Sequence, residues 1–187
     1  MSPAPRRISV VGSTGSGKTT FAFDLARRIG VPHVELDALA WGPNWTLVPE
    51  DIFKERVARA VESDAWVIDG NYAGRGARDL VWPRADTVIW LDPSLGVIFV
   101  RLFRRAVRRS RSGEVLWPGT GNRETLRAQF FSRDSLFGWA LKTYRRRRRE
   151  LPLILARAEY AHLVVHRLRR SEDAQAWLEL QPATAGP

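Results

Sequence analysis

Between the apolar run Ile8-Ser9-Val10-Val11 and an amphipathic stretch that opens at Lys18 lies Gly12-Ser13-Thr14-Gly15-Ser16-Gly17-Lys18-Thr19, the pattern G-x-x-x-x-G-K-[ST]. The glycines let backbone N–H groups converge on phosphate oxygens, and a helix that follows turns its unpaired N–H groups and its dipole toward the same anion. That arrangement requires a strand to deliver the loop and a helix to leave it. Both are present: the β-branched run ends at Gly12, while Phe21, Ala22, Leu25, Ala26 and Ile29 recur at helical spacing until Gly30. The expected nucleotide site runs from Gly12 to Thr20, with Lys18 spanning the β- and γ-phosphates and the Thr19 hydroxyl ligating Mg²⁺.

The rest of the chain alternates in the same way. A second strand is expected over Pro32 to Leu36, then a loop through Trp41-Gly42-Pro43-Asn44-Trp45 and a helix from about Pro49 to Ser63. Ala65-Trp66-Val67-Ile68 and Thr87-Val88-Ile89-Trp90-Leu91 are continuous apolar runs, as in strands buried on both faces of a parallel sheet. Leu95 to Arg109 reads as helix, Ser110 to Asn122 as Gly-rich loop, and Arg123 to Glu159 as mostly helix broken near Pro152. Leu163-Val164-Val165 supplies a fifth strand and Ser171 to Leu180 a last helix, with a disordered tail from Gln181 to Pro187. The pattern predicts one α/β domain over the 187 residues: a five-stranded parallel sheet with helices on both faces in three layers.

Composition removes several chemistries. Zero cysteines exclude disulfides, thiolate catalysis and Cys–zinc sites, and His33, His162 and His166 lack a metal-binding spacing, so any metal should be a hard cation held by oxygens. No stretch is long and apolar enough to span a membrane, and the first residues lack the apolar core of a signal peptide, which predicts a cytoplasmic protein without a membrane partner. The net charge of +10 is unevenly placed: residues 1–93 carry 11 basic against 12 acidic side chains, residues 94–187 carry 19 against 8. Of the 30 basic residues 27 are Arg, whose planar fork binds phosphate bidentately. The second half is expected to face phosphate.

From these motifs the chain resembles the adenylate-kinase-like P-loop kinases, and within them the group of topology modulation proteins and "adenylate kinase and related kinases". The residues that carry the resemblance are the loop itself, Leu36-Asp37-Ala38-Leu39-Ala40-Trp41 with Pro43-Asn44-Trp45, Trp66-Val67-Ile68-Asp69-Gly70-Asn71-Tyr72, Ala85-Asp86-Thr87-Val88-Ile89-Trp90-Leu91-Asp92, and Gly121-Asn122-Arg123-Glu124. It implies a P-loop NTPase fold with strand order 2-3-1-4-5, an Arg-rich lid over about 105–125, and ATP with Mg²⁺ as cofactors. It further implies that Asp69 contacts the metal through water, that Gly70 lets the backbone approach the acceptor, and that Arg101 and Arg105 are the paired arginines at the start of the lid. At i, i+4 these two share one helix face and can stabilise the transferring phosphoryl group. Arg104, Arg108 and Arg109 point elsewhere, toward solvent. Where adenylate kinase carries an arginine soon after Asp-Gly to hold an acceptor phosphate, this chain reads Asn71-Tyr72, with Arg75 and Arg78 later.

Asp37 follows the second strand, where acceptors bind outside the carboxyl ends of a parallel sheet, and a carboxylate there can orient a hydroxyl and take its proton; the alternative is an Asp that caps a turn. Glu35, two residues earlier, could join through a metal-bound water. Asp69, Gly70, Asn71 and Trp41 complete the expected acceptor site, with Trp41, Trp45 and Trp82 as either an aromatic wall or core, and Trp66 and Trp90 as core. Arg123, Arg127 and Arg133 could close on phosphate, and spacing does not choose among them. Arg145 to Arg149 encircles a helix, so at most two of the five can face one ligand and the run is expected to be a diffuse field. Two functions are therefore carried forward: a Mg²⁺·ATP-dependent kinase of a small-molecule, nucleoside or nucleotide acceptor, with Lys18, Asp37, Arg101 and Arg105 catalytic, and a nucleotide-binding ATPase or regulator that grips DNA or RNA through its basic half.

Overall fold

The computed structural model describes residues 5–113, 115–117, 119–123 and 136–183. Five strands, β1 (Arg7–Gly12), β2 (His33–Glu35), β3 (Trp66–Asp69), β4 (Thr87–Leu91) and, late in the chain, β7 (Val164–Leu168), pair in parallel in the order β2-β3-β1-β4-β7. Counted within the sheet this is the expected 2-3-1-4-5. A separate antiparallel hairpin joins β5 (Val115–Leu116) to β6 (Asn122–Arg123). The helices are α1 (Lys18–Ile29), α2 (Leu36–Ala40), α3 (Glu50–Ala60), α4 (Ala77–Val81), α5 (Leu95–Ser112), α6 (Leu136–Leu155) and α7 (Ser171–Glu179). No helix among the described residues is long and apolar enough to cross a membrane.

The central position of β1 follows from its alternation. Ile8 and Val10 turn to one face, where Phe21, Ala22, Leu25 and Ala26 of α1 and Trp177 of α7 cover them. Val11 turns to the other face and joins Phe53 and Val57 of α3, Ala77 and Val81 of α4, and Leu151 of α6. Both faces of β3 and β4 are buried, so neither strand alternates polar with apolar, as expected of inner parallel strands. A smaller cluster of Ile98, Leu102 and Ala140 locks α5 to α6 beside the glycine loop.

Several boundaries differ from expectation. Leu36 begins a short helix rather than ending a strand, so Asp37 stands in the first turn of α2. The helix after β4 continues to Ser112, and the expected Gly-rich loop and the lid start are instead helix followed by a hairpin that includes Arg123. Pro152 lies inside α6 without ending it: a proline there forfeits one hydrogen bond, and the helix runs only three residues further. Gln181, expected in a disordered tail, is buried and accepts a hydrogen bond on its carbonyl from Arg28 Nε at 2.8 Å; residues 184–187 lie outside the described residues, as do Glu124, Arg127 and Arg133.

Candidate active site

The loop leaves β1 where a side chain cannot fit. A Cβ on Gly12 would meet the Leu91 carbonyl oxygen at 2.5 Å, and the positive φ of 157° is one that residues with side chains rarely adopt. Asn71, directly after β3, grips this residue from both sides: its Nδ2 donates to the Gly12 carbonyl at 2.8 Å and its Oδ1 accepts from the Gly12 N–H at 3.4 Å. The amide of Asn71, a residue expected at the acceptor site, fixes the entry to the loop. Gly70 serves packing in the same way, since a Cβ there would lie 2.7 Å from Leu36 Cβ.

The Lys18 ammonium donates to the Ser13 carbonyl at 3.1 Å. Burial depresses its pKa, Asp69 and Asp37 push it back up, and Arg147 and Arg105 depress it further. Four charged side chains from α2, β3, α5 and α6 thus act on one ammonium. Thr19 Oγ1 donates to Asp69 Oδ1 at 3.1 Å, while the other oxygen of this buried carboxylate lies 2.8 Å from His33 Nε2. Thr19 and Asp69 are therefore adjacent as expected, and His33 was not anticipated. Its position on β2, which pairs with β3, is the feature that carries it to Asp69.

Tyr72 stands within reach of the Asp37 charge: burial, and then Asp37, raise the Tyr72 pKa well above the usual phenol value. The Glu35 carboxyl is pushed up to about 7, first by burial and then by Asp69 and Asp37. Trp41, Trp45 and Trp117 form an edge-to-face chain with centroid spacings of 5.7 and 5.9 Å. The fully buried Asn122 pins the hairpin to this wall, accepting from the Trp45 N–H at 3.0 Å and donating to the Gly42 carbonyl at 2.9 Å. Trp82 is excluded from the wall: it is buried in the core, with its indole N–H 3.3 Å from Ser9 Oγ.

The arginines separate sharply. Arg101 donates to the Ser16 carbonyl and, at 2.9 Å, to Ser171 Oγ, so it ties the loop to the start of α7. Arg105 acts on Lys18, whereas Arg104 and Arg108 are exposed. Arg123 lies at the open end of the hairpin, its guanidinium over Gly113. The run in α6 is not a diffuse field. Arg147 Nη1 donates to the Gly12 carbonyl at 2.8 Å and lies 3.4 Å from Ser13 Oγ, and burial pulls its pKa down to about 10, still ionised at neutral pH. Arg148 Nε donates to Asp92 Oδ1 at 2.8 Å, and Arg167 takes Asp92 Oδ2 at 2.6 Å while stacking 3.9 Å over the Trp90 ring. Arg145 and Arg149 remain exposed. A signal was present in the sequence: Ala140, Thr143 and Leu151 are buried, and Arg147 falls on the same helical stripe.

No protein-family model matches the chain, and a search of curated proteins finds no match. Among solved structures, a shikimate kinase from Bacteroides thetaiotaomicron is similar over 94% of this chain and 96% of its own at 16% identity, with a TM-score of 0.54. A sugar kinase from Janibacter sp. is similar over 96% of this chain and 99% of its own at 24% identity, TM-score 0.50. A gluconokinase from Sinorhizobium meliloti covers 94% of this chain with 92% of its own at 20% identity, TM-score 0.50. At these identities the likeness is one of fold, and the fold is that of P-loop kinases.

Proposed function

We propose that this chain is a Mg²⁺- and ATP-dependent phosphotransferase that phosphorylates a hydroxyl group of a small-molecule acceptor. The observation that carries the reading is the set of contacts around the glycine loop: Lys18 donates to the Ser13 carbonyl, Arg147 to the Gly12 carbonyl, and Thr19 to the buried Asp69. In this reading the loop amides and Lys18 hold the β- and γ-phosphates. Arg101, fixed between Ser16 and Ser171, walls the nucleotide side rather than acting on the γ-phosphate. Arg105 and Arg147 offset charge on the transferring group.

The donor set suits a hard cation. Thr19 Oγ1 and Asp69 supply oxygens side by side, and no group of three or more His, Cys, Asp or Glu among the described residues could cage a metal outright. That matches Mg²⁺, which keeps most of its waters and shares its shell with phosphates. Magnesium held there would neutralise phosphate charge and orient the oxygens for in-line attack. Asp37, in the first turn of α2, accepts the proton of the acceptor hydroxyl as its oxygen bonds the γ-phosphorus and the bond from that phosphorus to the bridging oxygen of ADP breaks. The chain's similarity to adenylate-kinase-like enzymes and its fold neighbours both support this chemistry.

ATP with Mg²⁺ at ~100 times its dissociation constant should stabilise the fold by about 2.7 kcal/mol, a rise of roughly 5–10 °C in melting temperature for a domain of this size. Lys18→Ala should remove that rise. A full rise in the variant would sink the nucleotide assignment, and with it the reaction.

A further inference from the structure

Asp69 is 1% exposed, and a carboxylate buried to that degree needs a donor at each oxygen. Both oxygens have one: Oδ1 accepts from Thr19 Oγ1 at 3.1 Å, and Oδ2 lies 2.8 Å from His33 Nε2. An ionised carboxylate only accepts, so the His33 ring carries a hydrogen on Nε2. The strands bring the pair together. In the β2–β3 register His33 stands beside Val67 and Glu35 beside Asp69, so with a side-chain period of two all four leave the same face of the sheet, and His33 meets Asp69 on the diagonal. Helix α1 completes the arrangement from above: Thr19 bonds Asp69, and Phe23, four residues on along the same side of the helix, meets the His33 ring edge to face at a centroid separation of 6.2 Å. The imidazole is thus held by an aromatic edge while it holds the carboxylate.

Resting on the phosphotransferase reading, in which Thr19 and Asp69 serve Mg²⁺, we propose that His33 is the positioning residue of the metal site: its Nε2–H fastens Asp69 Oδ2, so that Oδ1 stays beside Thr19 Oγ1 and faces the cation's shell. A carboxylate tied at neither oxygen turns about its Cβ–Cγ bond; one tied at Oδ2 keeps a single orientation. Of the two donors, Thr19 is itself a metal ligand in this reading and shares its hydroxyl oxygen with the cation. His33 is the donor whose sole task is to hold the carboxylate. Taking it away leaves a buried charged oxygen unpaired, and loss of such an outer partner typically weakens a metal site by about 10–100-fold. His33 therefore acts on the cation through Asp69, as a partner of a ligand and not as a ligand.

The test uses the full chain loaded with ADP and titrated with Mn²⁺, the free cation being followed by its electron paramagnetic resonance signal. His33→Leu should weaken Mn²⁺ binding by roughly 10–100-fold, while affinity for ADP in metal-free buffer stays within about twofold. His33→Gln, whose amide N–H extends about as far from the backbone as imidazole Nε2, should recover most of the loss, and His33→Asn, one methylene shorter, should not. That pair of polar variants decides the question even if His33→Leu folds poorly. In an Asp69→Asn background His33→Leu should add less than about twofold, because its effect passes through that carboxylate. Unchanged Mn²⁺ affinity in His33→Leu, an equal loss of metal-free ADP affinity, or identical behaviour of the Gln and Asn variants would overturn the proposal. Asp69→Asn with undiminished Mn²⁺ affinity would mark failure of the metal assignment in the phosphotransferase reading; loss of Mn²⁺ in Asp69→Asn beside intact affinity in every His33 variant would mark failure of this inference alone.

Discussion

Two walls enclose the site, and they are built on opposite terms. In the phosphate cradle the left-handed backbone angles fall on glycines, 157° at Gly12, 75° at Gly15 and 94° at Gly17, so the shape is reached without side-chain strain. Across from it, Asn44, Trp45 and Trp117 adopt φ values of 55°, 56° and 57°. Each such residue costs about 1–3 kcal/mol, least for Asn, and persists only where its surroundings hold it. Here the holders are identifiable: Asn122, bonded to the backbones of Trp45 and Gly42, and the edge-to-face tryptophans. The left-handed backbone of the cradle is met by its own glycines, whereas that of the tryptophan wall is held by its partners.

Chemistry is the sharpest separator of the two walls. Asp37→Asn should reduce phosphoryl transfer by roughly 10²–10⁴ while ATP affinity stays within a few-fold, followed as ADP release; a collapse of ATP binding would instead make Asp37 part of the cradle. Next in size is Arg147→Ala, which removes a charged donor at the loop and should reduce kcat by about 10²–10³, whereas Arg145→Ala with Arg149→Ala should change it less than about twofold. Equal losses in both would return the run to a diffuse field. Asn122→Ala should cost about 1–3 kcal/mol of stability and raise the acceptor KM with a red shift of tryptophan emission, and an unaltered KM would detach the hairpin from the acceptor wall.

The smallest effect is electrostatic. Glu35 titrates near 7 when folded against 4.5 for the ordinary carboxyl, so between those values the folded chain holds a proton that the unfolded chain has released. Stability should accordingly fall as pH rises from about 4.5 to about 7 in metal-free buffer, and then level off. Glu35→Gln should flatten that slope, measured by denaturant melts across the window.

The same division explains what could be read before any coordinates. Glycine spacing, β-branched runs and helical periodicity are local properties, and they delivered the β1–loop–α1 unit and the five strands of the sheet, while the resemblance of Asp69-Gly70 to a kinase motif brought Asp69 beside Thr19. The tryptophan wall and the charged restraint on the glycine loop are assembled from long-range contacts: Asn122 meets Trp45 across 77 residues, and Arg147 meets Gly12 across 135. No local rule singles out the third of five arginines until the buried face of α6 is recognised. The short α2 escaped for a related reason, since Leu36-Asp37-Ala38-Leu39-Ala40 is too brief for periodicity to speak and is set by the packing of Leu36 and Ala40.

The placement of β1 at the centre of a parallel sheet also sets a timetable for the nascent chain. β1 is made before both of its partners: Ile8 pairs with Val67 on one side and Thr87 on the other, so its edges wait for some sixty to eighty further residues. Such distant parallel pairings close slowly and leave strand edges open to aggregation in the meantime. The loop's last restraint, Arg147, leaves the ribosome later still. The eight residues most easily recognised in the sequence are thus made well before they are completed, and a chain interrupted before α6 carries the motif without the finished cradle.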